Sequence, residues 1–219
     1  MKVRRSQGQG GFTLVEIAIV LVIIGLLLGG ILKGQEMITQ AKIKNVINDF
    51  NGLSAAVNSY RDRYRMLPGD DNGADARWGT SGLQGNGNGV IGGKYNSSTA
   101  NEESRLFWQH LRQAGFVPGA GQEQPRNATA GLIGVQTGDA GSPTIGPVLG
   151  SFTSLIVCST SIPDKVAGAV DVQMDDGKPD TGQMRAYQGA ANADVPASAM
   201  AGGSIYGEAG TTFNLCQPI

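Results

Sequence analysis

The chain has 219 residues, a formal net charge of −1, one histidine and two cysteines. This length allows one globular domain together with one long additional element. A single histidine, without a nucleophile motif, a phosphate-binding loop or a spaced Cys/His cluster, leaves little from which to build a catalytic site. We therefore expect a protein that is not an enzyme.

Charge is distributed unevenly along the chain. Residues 1–65 hold nine Lys/Arg and four Asp/Glu, whereas residues 66–219 hold eight and fourteen, which gives balances of +5 and −6. The second part also contains 26 of the 34 glycines. A basic, helix-forming part thus precedes an acidic, loop-rich part, and the acidic part argues against a nucleic-acid-binding surface, which needs clustered basic residues.

The first predicted element is a membrane-spanning helix over residues 12–33, which follows a short basic leader over residues 1–11. Its apolar stretch is about 21 residues long, which is enough to cross a bilayer at about 1.5 Å per residue. Basic residues cluster before this stretch and place the N-terminus in the cytoplasm by the positive-inside rule: Lys2, Arg4 and Arg5.

The small residues of this segment, Gly10 and Gly11, come before the apolar run. A secretory signal has them after its apolar core. Cleavage after Gly11 would therefore leave the hydrophobic helix on the mature chain. Glu16 lies inside the apolar stretch, although a carboxylate near the centre of a membrane-spanning helix costs roughly 2.5–3.5 kcal/mol on insertion scales.

The segment Gly11-Phe12-Thr13-Leu14-Val15-Glu16 resembles the type III signal of type IV pilins and type II secretion pseudopilins. The resemblance implies that a prepilin peptidase cuts after Gly11 and that Phe12 becomes the N-methylated first residue. It also implies that Glu16 meets the N-terminal amine of a neighbouring subunit, since a buried carboxylate gains from a cation in a low-dielectric setting. A plain signal anchor with an accidental acid is the alternative.

One position departs from the pattern of the family. Many relatives carry a kinking proline at the position of Lys33, whereas no proline lies between Phe12 and Tyr64 here. Four glycines could give the helix flexibility or provide close-packing faces instead: Gly25, Gly29, Gly30 and Gly34.

The apolar pattern continues past the membrane segment over residues 34–65. Apolar residues recur at spacings of three and four from Ile38 to Tyr64, which predicts an amphipathic continuation of the same helix. The sequence MLPGDD ends it, since Pro68 and Gly69 interrupt helices.

Residues 66–219 are predicted to form a globular head that begins with glycine-rich turns. These turns contain Gly87-x-Gly89-x-x-Gly92, a chance match to the dinucleotide fingerprint because no strand precedes it. A short helix is predicted at about 100–114, with Thr99 and Glu102 as a capping box and Gly115 as its stop. His110 lies on the apolar face of this helix, where packing is the expected role.

Strands are predicted after a Gly/Pro/Thr-rich connection over residues 118–150. Their β-branched or alternating patterns cover Ser151–Ser159, Ala169–Met174, Gln183–Tyr187 and Thr211–Cys216, with residues 175–182 as a hairpin loop. The predicted fold class is α+β: a long N-terminal helix packed on a small antiparallel sheet, which is also the pilin-like architecture that the resemblance implies.

The two cysteines, Cys158 and Cys216, lie in the part of the chain that would be exported. An even count in that compartment suggests one disulfide, and two free buried thiols are the alternative.

Acidic loops suggest calcium as a ligand, because calcium binds six to eight oxygen atoms. Two clusters are candidates: Asp70, Asp71 and Asp75, and Asp171, Asp175, Asp176 and Asp180. Neither has EF-hand spacing. Turn and hairpin chemistry is the alternative explanation for both clusters.

The resemblance implies a structural subunit of a type IV pilus or a pseudopilus. Its partners would be copies of itself, other pilin-like subunits, a prepilin peptidase and an assembly ATPase with its platform. It would lie in the bacterial inner membrane before assembly, and afterwards in a periplasmic pseudopilus or an extracellular pilus. A secretion pseudopilin and an adhesive or DNA-uptake minor pilin are the alternatives within this class.

Overall fold

The computed structural model describes residues 11–138, 147–189, 193–202, 205–207 and 210–219. Four helices and four strands are found in this part of the chain: α1 Leu14–Tyr64, α2 Ala74–Trp78, α3 Glu103–Gln113, β1 Ile133–Thr137, β2 Leu155–Pro163, α4 Asp164–Met174, β3 Arg185–Gln188 and β4 Thr212–Pro218. The chain divides into two compact units, Met1–Gln40 and Ala41–Ile219, and α1 runs through the division. The fold is α+β, as predicted.

The first unit consists, in its described part, of residues 11–40 and the beginning of α1. Apolar residues cover all sides of the helix here, so no single face has to be buried against a protein core. The predicted helix from residue 12 onward is observed from Leu14, and it continues without interruption into the second unit.

In the second unit, one stripe of α1 is buried. Its buried residues are spaced three, four or one apart, as one face of a helix requires: Ile43, Val46, Phe50, Leu53, Ala56, Val57 and Tyr60. They form one hydrophobic core with Phe107, Trp108 and Leu111 of α3 and with residues of the sheet and α4. The predicted amphipathic continuation of the helix is therefore present.

The sheet has four antiparallel strands in the order β1-β2-β4-β3. Successive residues of a strand face opposite sides. In β2, Leu155 and Val157 join the core below α1, while Ile156 and Cys158 join a second cluster on the other face, together with Tyr187. Both faces of the central strands are thus buried.

One predicted strand is wrong. Residues Ala169–Met174 belong to helix α4, and residues 175–182 connect this helix to β3 instead of closing a hairpin. Val166, Ala167, Val170 and Asp171 are buried. This spacing is that of one helical face, which overrides the local alternation of AVDVQM.

Two short elements differ from the prediction. Strand β1 lies in the segment 118–150 that is expected to be a connection, and the five-residue α2 lies in the glycine-rich start of the head. The predicted helix at about 100–114 is observed as α3, and Gly115 follows it with a φ of 79°. Glu102 is its N-cap and no side chain caps it, so the predicted capping box with Thr99 is absent.

Candidate assembly surface and acidic clusters

The beginning of α1 presents a continuous apolar surface. Each of the described residues 11–40 is exposed or half-exposed, and Phe12 and Leu14 are 83 % and 87 % exposed. Soluble monomers rarely expose apolar patches of this extent. Among the described residues, α1 is also the helix that is long and apolar enough to cross a membrane. This surface therefore requires lipid or another protein chain as its environment.

Glu16 lies in the first turn of this helix and is hydrogen-bonded there. Its Oε2 atom accepts the Thr13 N–H and the Thr13 hydroxyl, both at 2.8 Å, while Thr13 Oγ1 accepts the Glu16 N–H at 3.3 Å. This reciprocal arrangement is a capping box, which satisfies N–H groups that the helix start leaves without partners. The acid that breaks the apolar run thus also starts the helix.

The predicted cleavage site lies directly before the helix. Gly11 and Phe12 are exposed and precede α1, and nothing lies within 4 Å of a Cβ built on Gly11. The rest of the predicted leader, including Lys2, Arg4, Arg5 and Gly10, lies outside the described residues. The structure therefore places the predicted scissile bond in an exposed segment at the helix start.

The helix is continuous at Lys33, the position at which the resemblance to type IV pilins draws attention to a possible kink. Lys33 Nζ forms an ion pair with Glu36 Oε2 at 2.7 Å, and both side chains are exposed. For the four glycines from Gly25 to Gly34, a Cβ built on the backbone would have no neighbouring atom within 4 Å. They leave open space that a neighbouring helix can fill.

In the first acidic cluster, each carboxylate forms hydrogen bonds with a different part of the head. Asp70 accepts the backbone N–H groups of Gly87, Asn88 and Gly89 at 2.7–3.0 Å. The loop that matches a phosphate-binding fingerprint therefore binds a carboxylate of its own chain. Gly85 has to be glycine, since a Cβ there would lie 2.3 Å from the backbone of Asp70.

Asp71 and Asp75 use their carboxylates elsewhere. Asp71 accepts the Tyr60 hydroxyl at 2.6 Å and pairs with Arg77 at 2.5 Å. Burial alone would raise the pKa of Asp71, but the hydrogen bonds from Arg77, Tyr60 and the Gly73 N–H outweigh burial and lower it. Asp75 accepts the Thr80 hydroxyl and the backbone N–H groups of residues 82 and 83. The three carboxylates are therefore not gathered around one point.

His110 is packed, as predicted. Its Nδ1 accepts the Gly69 N–H at 2.9 Å, so its Nε2–H donates to the Leu83 carbonyl at 2.7 Å. Burial lowers the pKa of His110 and keeps the ring neutral at pH 7. Its ring is stacked with that of Tyr60 at a centroid distance of 6.3 Å. This histidine fixes the loop before α2 against α1 and α3.

In the second acidic cluster, three of the carboxylates lie close together in space. Among the described residues, Asp171, Asp175 and Asp176 each place an oxygen within 4.8 Å of the others. Asp171 is fully buried and accepts the Tyr206 hydroxyl at 2.6 Å and the Gly177 N–H at 3.0 Å. Burial and the two neighbouring carboxylates raise the pKa of Asp171 to about 6.

The three carboxylates are the type of ligand that a hard cation such as calcium prefers, but they are fewer than the ion needs. Calcium takes six to eight ligands. Asp180 lies outside the gathered set and follows it on the loop to β3. The described ion pairs provide no Lys or Arg partner for the three acids, which leaves their negative charge uncompensated by a salt bridge.

The predicted disulfide is present. Cys158 of β2 and Cys216 of β4 are directly opposite each other in the sheet and are bonded. Both side chains are fully buried in the second hydrophobic cluster, beside Tyr95, Ile156 and Tyr187. The bond therefore joins two neighbouring central strands, and the alternative of two free thiols is excluded.

Comparison with known families supports the interpretation of the N-terminus. The model of the prokaryotic N-terminal methylation motif matches residues 6–32. No curated protein matches the chain, and no solved structure matches it. The long exposed helix and the α+β head define a pilin-like class of fold. The matched motif is the prepilin signature of type IV pilins and pseudopilins, and it supports a protein of that type.

Proposed function

We propose that the chain is a structural subunit of a type IV pilus or pseudopilus, which polymerises through the beginning of α1. The observation that carries this proposal is the methylation motif on a helix whose apolar surface is exposed on all sides. Burying one large apolar side chain contributes about 1.5–3 kcal/mol, so helices of neighbouring subunits gain strongly from mutual contact once they leave the lipid.

Processing precedes assembly in this proposal. A prepilin peptidase cuts after Gly11 at the cytoplasmic face of the inner membrane, and Phe12 is then N-methylated. The motif implies the peptidase as a partner and fits anchoring in the inner membrane before assembly. Mass spectrometry of the mature chain should find Phe12 at the N-terminus with one added methyl group, and Gly11→Val should leave the leader attached.

Glu16 has the central role in assembly. Its carboxylate accepts hydrogen bonds from Thr13 of its own chain, and it retains lone pairs for a donor from elsewhere. The donor is the methylated amine of Phe12 of a neighbouring subunit. This pairing sets the axial position of one helix relative to the next.

Substitution at Glu16 tests the proposal. Glu16→Ala should insert into the membrane and be cleaved normally, but it should lower the yield of filaments at least tenfold. Glu36→Ala is the matched control, because Glu36 is an exposed acid on the same helix whose partner is Lys33. Equal filament yields from the wild-type chain and Glu16→Ala would contradict the proposed role.

The location of the filament distinguishes a pseudopilus from a pilus. A secretion pseudopilin is a piston component within the envelope, and a pilus subunit appears on the cell surface. An adhesive or DNA-uptake minor pilin is the third form, and the −6 balance of residues 66–219 disfavours its DNA-binding version. Imaging of surface filaments and assay of exported proteins after deletion of this chain separate the three.

Calcium at the second acidic cluster is a further part of the proposal. Asp171, Asp175 and Asp176 would hold the ion, and the favouring observation is a buried carboxyl group whose neighbours are two other acids. The ion would neutralise these carboxylates and order the loop between α4 and β3. The first cluster lacks this support, because Asp71 already has Arg77 as its cation.

A further inference from the structure

A cavity of about 310 Å³ opens on the second unit, between α1 and the segment that joins α3 to β1. Its lining is mostly apolar and includes Leu53, Trp108, Phe116 and Ile133, with Asp49 among the few polar residues. A volume of this size is at the lower end of the range for ligand pockets. The cavity can therefore accept one long side chain.

Two polar groups of this cavity lack partners within the described residues. Asp49 is half-buried and accepts no hydrogen bond and no ion pair there, and burial raises its pKa. Trp108 is 1 % exposed, and its indole Nε1–H has no acceptor in the described part of the chain. The Trp108 nitrogen has almost no accessible surface, so it does not take part in binding at the cavity. The half-buried carboxylate of Asp49 gains from a cation, because burial disfavours its charged form.

Arg126 is a cation on the cavity rim, but it does not supply the partner. Its Nη1 donates to the Ala130 carbonyl at 2.9 Å. The ion pairs found among the described residues do not include one between Arg126 and Asp49. The carboxylate of Asp49 is thus open to a cation from outside the subunit.

The shape and chemistry of the cavity fit an arginine side chain. The methylene groups of arginine pack on apolar walls, and its planar guanidinium binds a carboxylate through two hydrogen bonds. Lysine offers a single, more strongly hydrated charge, which is less suited to a partly buried site.

Two exposed arginines that form none of the described ion pairs lie at the C-terminal end of the amphipathic segment 34–65, which also contains Asp49. Arg61 and Arg65 lie four positions apart and line one surface depression together with Asn58 and Asp62. The salt bridges of the described chain leave both arginines out. Arg61 is twelve residues from Asp49, which corresponds to about 18 Å along a helix at about 1.5 Å per residue. An arginine cannot bridge that distance within one subunit.

We propose that the cavity beside Asp49 receives Arg61 or Arg65 from a second copy of the chain. This interface rests on the proposed function, because polymerisation through α1 brings parallel copies, displaced along the helix axis, side by side. A displacement of about 18 Å along the helix axis brings Asp49 of one copy to the level of Arg61 of another. The contact joins the second units of neighbouring copies and adds to the apolar contacts of the first.

A charge swap tests the interface in cells that assemble the full chain. Asp49→Arg alone and Arg61→Asp with Arg65→Asp should each lower the filament yield about tenfold, since each change places like charges together. The combination of all three changes should restore the yield to within about twofold of the wild type. Lys165→Asp, a charge reversal at an exposed position of α4, is the control and should leave the yield unchanged.

Disulfide cross-linking tests the same contact without changing its charges. Asn48→Cys lines the cavity and Asn58→Cys lines the basic depression, and the native cysteines are already bonded to each other. The two new thiols of one chain are about 15 Å apart along the helix, so a disulfide can form only between copies. Assembled filaments should give cross-linked dimers, whereas Asn48→Cys with Val172→Cys on the exposed side of α4 should not.

The results separate this interface from the proposed function. Failure of the wild-type chain to form any filament in cells with the assembly machinery would refute polymerisation itself. Normal filaments from Asp49→Arg, with no cross-linked dimer from the chain carrying both introduced thiols, would refute the interface alone. A loss of yield in Asp49→Arg that the arginine changes do not restore would assign the cavity to a different occupant and overturn the proposal. Asp49→Asn, checked for an unchanged melting temperature, controls for folding.

Discussion

At the scale of single residues, Glu16 caps the start of α1, and we propose that it also pairs with the amine of a neighbouring subunit. Its Oε2 atom is held by the N–H and hydroxyl of Thr13, so the carboxylate is oriented before any neighbour arrives. After the proposed cleavage, Thr13 is the second residue of the mature chain. The carboxylate that caps the helix would then lie close to the new terminus, and its fixed orientation would reduce the entropy lost in the proposed pairing with a neighbouring amine.

The capping boxes show what residue patterns can and cannot reveal. The S/T-x-x-E pattern occurs at Thr99–Glu102 and at Thr13–Glu16, and the prediction of a cap concerns only the first of these. The structure has the reciprocal bonds at Thr13 and Glu16, whereas Glu102 itself is the N-cap of α3. A pattern of four residues does not determine which residue begins the helix, because contacts with other parts of the fold determine where the helix starts. Glu103, for example, bonds to the Gly92 N–H.

The single histidine should make the stability of the head dependent on pH. Burial lowers the pKa of His110, so the folded chain binds fewer protons than the unfolded chain below the ordinary value of about 6.5. Stability is then complete above this pH and falls as the pH decreases below it, by at most about 1.4 kcal/mol per pH unit. Urea unfolding of the full chain in detergent between pH 5 and pH 8 measures this slope.

A matched variant isolates the contribution of His110. His110→Gln should lower stability at pH 8 but remove the loss of stability toward pH 5. Asp171, whose pKa is raised to about 6, titrates in the same range and changes the stability in the opposite direction. Because Asp171 is present in both chains, its contribution cancels in the comparison. An unchanged slope in His110→Gln would contradict the assignment.

Tyr60 links the helix to the first loop of the head through a buried hydroxyl group. Tyr60→Phe removes the hydrogen bond to Asp71 and leaves that carboxylate with one donor fewer. Because Asp71 is charged and buried, we expect a loss of about 1.5–3 kcal/mol in the free energy of unfolding. Chemical denaturation measures the difference.

Tyr64→Phe is the control for this change. Tyr64 contacts Tyr60 and Trp78, and its hydroxyl has no hydrogen-bond partner within the described residues. This variant should change stability by less than about 0.5 kcal/mol. A similar loss in both variants would show that the hydroxyl of Tyr60 is not the stabilising group.

At the scale of elements, the long helix and the strands with strong patterns are predictable. α1 combines an apolar run with a stripe at helical spacing, β2 is rich in β-branched residues, and β4 begins in the alternating segment TTFNLC. The prediction fails for α4 because its second half alternates like a strand, while its first half has helical spacing. It fails for β1 because IGVQT lies among glycines, although Gly134 is needed where Tyr95 approaches too closely for a Cβ.

The candidate sites are predictable to different degrees. The cleavage motif and the cysteine pair depend on local residues or on a count, so the sequence indicates both. The gathering of Asp171 with Asp175 and Asp176 depends on α4 being a helix, which places Asp171 next to the turn that follows it. The separation of Asp70, Asp71 and Asp75 depends on the loop partners of each, which no spacing reveals.

The disulfide should account for a large part of the stability of the second unit. The bonded residues are separated by 58 positions, and closing a loop of this length is worth about 4 kcal/mol in the chain-entropy model. Cys158→Ala with Cys216→Ala should lower the melting temperature by roughly 8–16 °C for a domain of this size. Thermal unfolding followed by circular dichroism measures the shift.

The reduced wild-type chain provides the control for this prediction. Both cysteines are fully buried, so reductant should act slowly on the folded chain and quickly after unfolding. A double-alanine chain as stable as the wild type would contradict the expected contribution. If the reduced wild-type chain is stable but the double-alanine chain is not, the lower melting temperature comes from lost packing of the side chains and not from the lost disulfide.

At the scale of the whole molecule, calcium should raise the stability of the head. An ion that binds only the folded chain adds about 2.7 kcal/mol at a concentration about 100 times its Kd. The melting temperature should then increase by roughly 5–10 °C between chelated and calcium-loaded protein. Asp176→Asn should reduce this increase, because it removes one of the three gathered carboxylates.

The control for the calcium experiment is an acid away from the cluster. Asp62→Asn changes an exposed carboxylate of α1 and should retain the full increase. Equal melting temperatures for the wild-type chain in chelator and in calcium would remove calcium from the proposal. Isothermal titration with magnesium in place of calcium distinguishes a selective site from general attraction of divalent cations.

The order of the strands in the sheet determines when the head can fold. β4 is the last strand along the chain, but it lies between β2 and β3, and β3 pairs within the described sheet with β4 alone. A ribosome that has released only the first three strands has made a two-stranded ribbon and one strand without a neighbour. The four-stranded sheet is therefore completed only after β4 has been made, and only then can Cys158 of β2 be joined to Cys216 of β4.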